Sequence, residues 1–431
     1  MSSIFQKTPF NYYANSPVEG EITLMAAKPN YDVSLLDNDL CKQIKECGFN
    51  AVGAVIAQNA IEPSLTNCYN NGLKLFVYNG TLLNSTESFV KEFKNHKGLG
   101  GWLLNFKLGA KKLVNTSDNA EVKTLIAANN AIIENDLDPS DSQKILHPIF
   151  IGLIGDWQRD LDASPIDFYS SYIQKFEDDF KPSLWPILYV PDLIPTKGDN
   201  IPEEYENRQL MFYKNLQYFA YVSRYTCVPF WSLCRCQSLK GYYNLDGKAP
   251  TLNQLRGIVF SALAYGAQGI YYWNYRESTS STTGGVTYSD APIDINGTKT
   301  ATYDIVKKVN AEVKAYNLIF HNCEMVDCRH LRTTPTKDLK LMTHAMGPLE
   351  KITDFSQNLL ISIINKEGKN YLVIISDPFV DKPQTITLHF NEYWTIRRFQ
   401  ITSNTAISRL LANYQPRMTV EPGQYLIYSW E

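Results

Sequence analysis

Apolar and polar positions follow two periods along this chain, and the switches between them mark its elements. Glu21–Ala27 (EITLMAA) is an apolar run of strand length, whereas Leu36–Cys47 has its apolar residues at the spacing of one helix face. The couple then recurs. Gly48-Phe49-Asn50-Ala51-Val52 opens a second strand, and Leu73–Tyr78 (LKLFVY) is a third, ending at Asn79 and followed by a helix over Thr86–His96. Leu99–Leu104 is a fourth strand, with a helix from about Asn119 to Asn135 behind it. A fifth, Leu146–Ile154, ends in Gly155-Asp156-Trp157, and a helix over Ile166–Phe180 leads to a sixth, Leu184–Val190, ending in Pro191-Asp192. The long helix Glu203–Arg224 precedes the seventh, Val228–Cys234. In the last step Ile258, Val259, Ala262, Leu263 and Tyr265 form a helix face, Gly266 suits its C-terminal cap, and Ile270–Tyr275 is an aromatic eighth strand.

Strand–helix steps repeated in this way predict an α/β fold, a parallel sheet closed as a (β/α)8 barrel over residues 1–320. An open doubly wound sheet shares the alternation, but no Gly-rich phosphate turn follows the first strand. Past Phe320 the rhythm changes to short strands at close spacing: Leu359–Ile364, Asn370–Ser376, Gln384–Phe390, Trp394–Ile401 and Gln424–Trp430, with turns such as Lys366-Glu367-Gly368-Lys369 between them. That pattern predicts an antiparallel β-sandwich over residues 322–431. The Ser-, Thr- and Gly-rich stretch Ser278–Thr300 reads as a lid over the barrel mouth or as a plain connection.

Bulk properties narrow the function classes. A net charge of −3 with no Lys/Arg cluster lacks the electrostatic footprint of a nucleic-acid partner. No apolar run reaches the roughly 18 residues of a membrane-spanning segment, and MSSIFQKTPFNYY has none of leader length. The compartment stays open: periplasm or cell surface if a leader has been removed, cytoplasm otherwise. The 27 Tyr and 7 Trp either fill a large core or supply flat faces on which sugar rings stack. The eight Cys read mainly as buried hydrophobes. His321, Cys323, Cys328 and His330 are not spaced as a zinc finger, so a packed or disulfide-linked pair is expected there, with no metal and no cofactor.

The run SALAYGAQGIYYWNY, together with APIDINGTKTATYDIVKKVNAEV at Ala291–Val313, resembles the final strand and helix of secreted (β/α)8 glycoside hydrolases of the Bacteroides type, which are distantly similar to the family 42 β-galactosidases. The resemblance implies carbohydrate as the partner, bound at the C-terminal mouth of the barrel, and a C-terminal β module. Glycoside hydrolysis ordinarily uses two carboxyl groups about 5–9.5 Å apart. In the family pattern strand four ends with Asn or Asp followed by the acid/base Glu. In the matching run Gly101-Trp102-Leu103-Leu104-Asn105-Phe106-Lys107, Asn105 agrees and Phe106 stands in the glutamate position. The strand-seven run Val228 to Gln237 contains no carboxylate where the β-galactosidases carry a nucleophile, and Tyr275-Arg276 stands where many relatives end strand eight with Tyr-Trp.

Carboxylates that do follow strand ends are Asp156, Asp192 and Glu277, the candidate catalytic residues. Asp156 with Glu277 is the expected pair if catalysis has moved; otherwise these groups cap helices or form loop ion pairs, such as Glu277 with Arg276 or Arg235. Trp102, Asn105, Trp157, Trp231, Arg235 and Tyr275 are the expected sugar-binding lining, since each lies at or just past a strand's C-terminal end. The two readings are therefore a glycosidase with relocated carboxylates and a carbohydrate-binding barrel without catalysis. Serine hydrolase chemistry lacks a Gly-x-Ser-x-Gly elbow, and His147 sits at the wrong end of its strand for a metal site. Cys234 and Cys236 flank Arg235, which would favour a thiolate, but no His lies near them in sequence.

Overall fold

Eight parallel strands run in chain order around a closed barrel. They are β1 (Thr23–Ala27), β2 (Ala51–Val55), β3 (Lys74–Tyr78), β4 (Leu99–Leu108), β5 (Ile149–Ile154), β6 (Leu184–Tyr189), β7 (Trp231–Arg235) and β8 (Gly269–Trp273). Met25 is opposite Ala51 on one side and Tyr271 on the other, so β1 closes the ring between β2 and β8. This is a computed structural model, and it describes residues 18–28, 34–108, 120–154, 184–189, 202–226, 229–242, 245–277, 282–283 and 286–431. Asp156, Trp157, Asp192 and the helix expected over Ile166–Phe180 lie outside the described residues.

Around the barrel stand α1 (Asn38–Glu46), α2 (Ile61–Asn70), α3 (Thr86–Phe93), α4 (Ala120–Asn135), α5 (Pro202–Thr226), α6 (Leu252–Ala264) and α7 (Ala301–Ala315). Local chemistry sets their ends. The Asp37 carboxylate accepts from the Leu40 N–H at 2.7 Å to start α1, and Thr251 with Gln254 makes a reciprocal capping box on α6. Gly266 ends α6 at φ +92°, a left-handed conformation that lets the Gly266 and Ala267 N–H groups reach Leu263 and Ala262 and turns the chain into β8.

Several expected elements differ in extent, strand seven among them, which begins at Trp231 and not at Val228. β4 continues to Leu108 because the Phe-Lys-Leu continuation remains β-prone, and its ladder to β5 shifts register between Leu103 and Asn105 and again between Asn105 and Leu108. β5 begins at Ile149, after Pro148, which has no N–H to give to a ladder. β8 ends at Trp273, two residues before Tyr275, with a cis peptide between Trp273 and Asn274. The stretch expected as lid or connection is partly strand: Val286–Ser289 pairs antiparallel with Ser238–Tyr242, which also pairs with Leu245–Gly247, giving a small rim sheet after β7 and β8.

The C-terminal strands form two antiparallel sheets. The first orders β9 (Glu324–Leu331), β11 (Leu359–Lys366), β12 (Lys369–Ser376), β17 (Tyr425–Trp430), β14 (Ile396–Thr402) and β15 (Thr405–Leu410); the second orders β10 (Leu349–Thr353), β13 (Gln384–Phe390) and β16 (Arg417–Val420). Alternation along the strands splits the apolar residues between two cores. Leu359, Ile361, Leu372, Ile374, Leu426 and Tyr428 face the three-stranded sheet, while Leu360, Ile364, Tyr371, Val373, Ile375 and Ile427 join the core of the barrel's helices.

That second face is bonded as well as packed. Tyr425 stacks on Phe260 of α6 with centroids 3.8 Å apart, and the Ser362 hydroxyl donates to the Ala264 carbonyl at 2.6 Å. The Tyr265 hydroxyl lies 2.7 Å from His330 Nε2. Cys328 and His330 are thereby occupied within this interface, and Cys323 contacts the Gln268 amide at 3.8 Å; both cysteines are free thiols. Among the described residues no cluster of three or more His, Cys, Asp or Glu could hold a metal ion, and no helix is long and apolar enough to cross a membrane.

Candidate functional site

The lumen of the barrel is aromatic at its base. Trp231 opens β7 and meets Phe150 of β5 at 4.5 Å and Phe76 of β3 at 5.8 Å, while Phe76 and Phe150 lie 4.9 Å apart. Side chains from strands so far apart around the ring meet only inside it, so these contacts fix which face of each strand looks inward. Glycines make the room: a Cβ on Gly269 would lie 2.3 Å from the Trp231 ring, and one on Gly101 would lie 2.4 Å from Phe76. Trp231, expected in the mouth, is thus a plug in the barrel floor, because it is the first residue of its strand and not the last.

From Trp231 the alternation of side chains carries Leu233 and Arg235 to the lumen face of β7. On β8 the inward series is Gly269, Tyr271 and Trp273; a Cβ on Gly53 of β2 would touch the Tyr271 ring at 3.0 Å, which places that ring inside. Trp273 pairs in register with Arg235, so the two strands end with an aromatic ring and a guanidinium side by side on the lumen face. Arg235 is nearly buried and donates through Nη2 to the Lys248 carbonyl at 3.1 Å. Tyr288 from the rim sheet meets Trp273 edge-on at 5.5 Å. After β1, Lys28 is buried and its ammonium bonds the Ser34 carbonyl and hydroxyl.

The last pair of the ladder between β7 and β8, Arg235 with Trp273, is closed by the residue after β7. The Cys236 N–H donates to the Trp273 carbonyl at 3.0 Å, and the Cys236 thiol donates to the Asn274 carbonyl at 3.2 Å. Gln237 lies two residues past the end of β7, at a bend. It is fully buried, and among the described residues neither its Oε1 nor its Nε2 has a hydrogen-bond partner; Asn274 Oδ1 and the Tyr271 hydroxyl are buried without partners among them as well. A buried polar group left unmatched costs roughly 1–3 kcal/mol, so such a collection at one end of a barrel requires a reason.

Other expected residues are placed elsewhere. Trp102 follows an inward-facing Gly101 and so turns outward; its Nε1–H donates to Asp136 Oδ2 at 2.8 Å, and its ring packs on Phe89 of α3 at 6.1 Å. It belongs to the helix layer. Tyr275, two residues beyond β8, is buried against Phe49 at 5.3 Å, beneath the helices rather than in the lumen. Asn105 is opposite Ile151 within the irregular part of β4. Glu277 is half-buried and its carboxylate is held by the backbone amides of Asp290, Ala291 and Ile295; burial pushes its pKa up, and those amides pull the other way. The Cys234 and Cys236 thiols are not activated by Arg235: burial dominates, pushing Cys234 up to about 12 and Cys236 well above the ordinary thiol range.

Trp273 and Tyr271 are lumen residues that sequence reasoning missed. Starting strand eight at Gly269 sets the inward series to 269, 271 and 273, which identifies Trp273; Tyr275 has the same parity and drops out only because the strand ends before it.

No family model matches the chain, and no curated protein matches it in sequence. Solved structures do resemble it. A β-galactosidase from Bacillus circulans sp. alkalophilus superposes with a TM-score of 0.55 at 8% identity, over 95% of this chain and 99% of that one. A family 39 glycoside hydrolase from the gut symbiont Bacteroides cellulosilyticus WH2 gives 0.52 at 10% identity, over 95% and 81%. A catalytic mutant of a family 42 β-galactosidase from G. stearothermophilus gives 0.51 at 9% identity, over 97% and 100%. The chain therefore has the fold of barrel glycoside hydrolases with a C-terminal β domain, and at these identities the likeness is one of fold.

Proposed function

We propose that this barrel binds carbohydrate at its C-terminal mouth and does not hydrolyse it. One observation supports the reading: on the family pattern Phe106 stands for the acid/base glutamate of strand four, Arg235 ends β7 in a run without a carboxylate, and the residues of all eight strands include neither Asp nor Glu. Phenylalanine cannot protonate a leaving oxygen, and a guanidinium cannot attack an anomeric carbon. What remains suits binding: Trp273 offers an apolar ring face, while Arg235, its partner in register, offers hydrogen bonds beside it. Trp157 and Asn105 join them in this reading as further sugar contacts.

General acid assistance is worth roughly 10²- to 10⁴-fold, so its loss is visible with simple aryl glycosides. The purified protein is expected to leave nitrophenyl glycosides intact while retaining oligosaccharides in a binding assay. The second reading, an enzyme with relocated carboxylates, draws on Glu277, whose pKa is raised by burial in the direction a general acid requires. Dinitrophenyl glycosides, whose leaving groups need little protonation, separate the two. Turnover abolished by Glu277→Gln, Asp156→Asn or Asp192→Asn would establish the enzyme.

A further inference from the structure

Most of the buried thiols meet backbone or amide groups. Cys47 donates to the Tyr303 carbonyl at 3.6 Å, Cys236 to the Asn274 carbonyl at 3.2 Å, and Cys323 lies 3.8 Å from the Gln268 amide. Cys41 and Cys68 instead meet each other. Their Sγ atoms are 3.8 Å apart, one on α1 and one on α2, both are fully buried free thiols, and they stand 27 positions apart in the chain. The two helices are tied together on either side of this contact. From the residues before Cys68, Ser64 Oγ accepts from the Leu36 N–H at 3.1 Å and Asn67 Nδ2 donates to the Leu36 carbonyl at 2.8 Å. From the far side, Asn71 Nδ2 donates to Asn38 Oδ1 at 2.8 Å, and the Gly72 carbonyl accepts from Lys45 Nζ at 2.8 Å. Backbone placement therefore holds the two sulfurs in contact. An S–S bond is about 2.05 Å long, so closing one here asks for roughly 2 Å of approach shared between two helices.

We propose that Cys41 and Cys68 are a disulfide-forming pair, joined when the chain folds in an oxidising compartment and stapling the first strand–helix unit of the barrel to the second. The bond is independent of what the mouth binds. Its oxidant is a small-molecule or protein disulfide. One cysteine attacks as thiolate and releases a thiolate; the other then displaces the remaining half from the mixed disulfide. Two S–H bonds are lost and one S–S bond is formed, while the oxidant takes two electrons as its own S–S bond breaks and the two protons as it leaves as thiols. The exchange belongs to the assembly of α1 and α2, before packing closes over the sulfurs, and so needs no path into the folded core. In the folded chain the hydrogen bond with Cys41 first and burial second push the Cys68 thiol well above its ordinary range, which keeps it out of the reactive thiolate form. Linking positions 27 apart removes freedom from the unfolded chain, so the bond raises stability if the native arrangement accommodates it.

The test uses the full chain, produced in a bacterial cytoplasm whose thiol reductants are disabled and, in parallel, in an ordinary reducing one. Free thiols are alkylated under denaturing conditions, the protein is digested without reduction, and the peptides are read by mass spectrometry; thermal unfolding is followed in both preparations. The oxidised preparation should give a linked peptide pair joining Cys41 to Cys68, lighter by two hydrogens than the two free-thiol peptides together. Its unfolding midpoint should lie roughly 3 °C or more above that of the reduced preparation. Cys68→Ser and, separately, Cys41→Ser should remove both the linked pair and the difference between preparations. Cys41 and Cys68 alkylated in most of the oxidised protein would overturn the inference, as would either one linked to a different cysteine. A Cys41–Cys68 bond whose midpoint is no higher than that of the reduced protein would also overturn it, because the bond would then not staple the native arrangement. So would a midpoint difference that survives in both variants, since the gain would belong to another cysteine.

Discussion

Acid should loosen this protein at the junction of barrel and sheets, and His330 makes the effect measurable. The imidazole is buried between Tyr265, 2.7 Å away through its hydroxyl, and the Tyr213 ring at 4.7 Å, with the Arg332 charge nearby. Burial first and Arg332 second lower its pKa to about 3, against about 6.5 in an unfolded chain. Between those values the unfolded state binds more protons than the folded one, so stability rises with pH across the window. The contribution is complete above about 6.5 and is lost progressively as pH falls toward 3. From pH 7.5 to 4.5 the shift amounts to about 2–3 kcal/mol. Asp377, whose carboxyl is pushed up by burial, acts with the opposite sign and favours the folded form in acid, so wild type alone would give a mixed slope. The informative comparison is with His330→Gln, which keeps a hydrogen-bond acceptor for Tyr265 and cannot charge. Urea unfolding followed by tryptophan fluorescence at several pH values should show wild type losing about 2–3 kcal/mol more than the variant between pH 7.5 and 4.5. Parallel loss in the two proteins would refute the reasoning, since it would mean that His330 either is hydrated or stays charged.

Two further substitutions separate packing from function. Trp102→Phe removes the Nε1–H donated at 2.8 Å to the fully buried Asp136 carboxylate; it should cost about 2–3 kcal/mol in chemical unfolding and leave sugar binding unchanged, whereas lost binding at unchanged stability would return Trp102 to the mouth. Gly423→Ala would drive a Cβ to 1.9 Å from the Asn253 carbonyl at the start of α6, at a φ of +67°, and should lower stability by about 3 kcal/mol or more. Gly368→Ala has a similar φ of +84° but open space around it, so it should cost only about 1 kcal/mol; equal midpoints for the two variants would show that backbone strain, not the contact between α6 and the β17 approach, dominates.

What this sequence determined by itself was local. Apolar runs, helix-face spacing, the Thr251 cap and the Gly266 stop act within a few residues of themselves, and they define a (β/α)8 barrel followed by antiparallel sheets without reference to anything distant. The proposal that family-type carboxylates are missing from strands four and seven is equally local, because it draws only on the identity of Phe106 and the composition of Val228–Gln237. Side-chain direction at the mouth was decided by tertiary structure. In a strand a shift of one residue exchanges lumen for helix layer, and the shift depends on pairing with neighbours. Trp102 turned outward because Gly101 had to face the Phe76 ring, and Tyr275 fell beneath the helices because β8 ends at Trp273 and its alternation does not carry past that end. Gln237 shows the dependence as well: its residue type could be read at once, but that its buried amide has no partner among the described residues follows only from the folded structure.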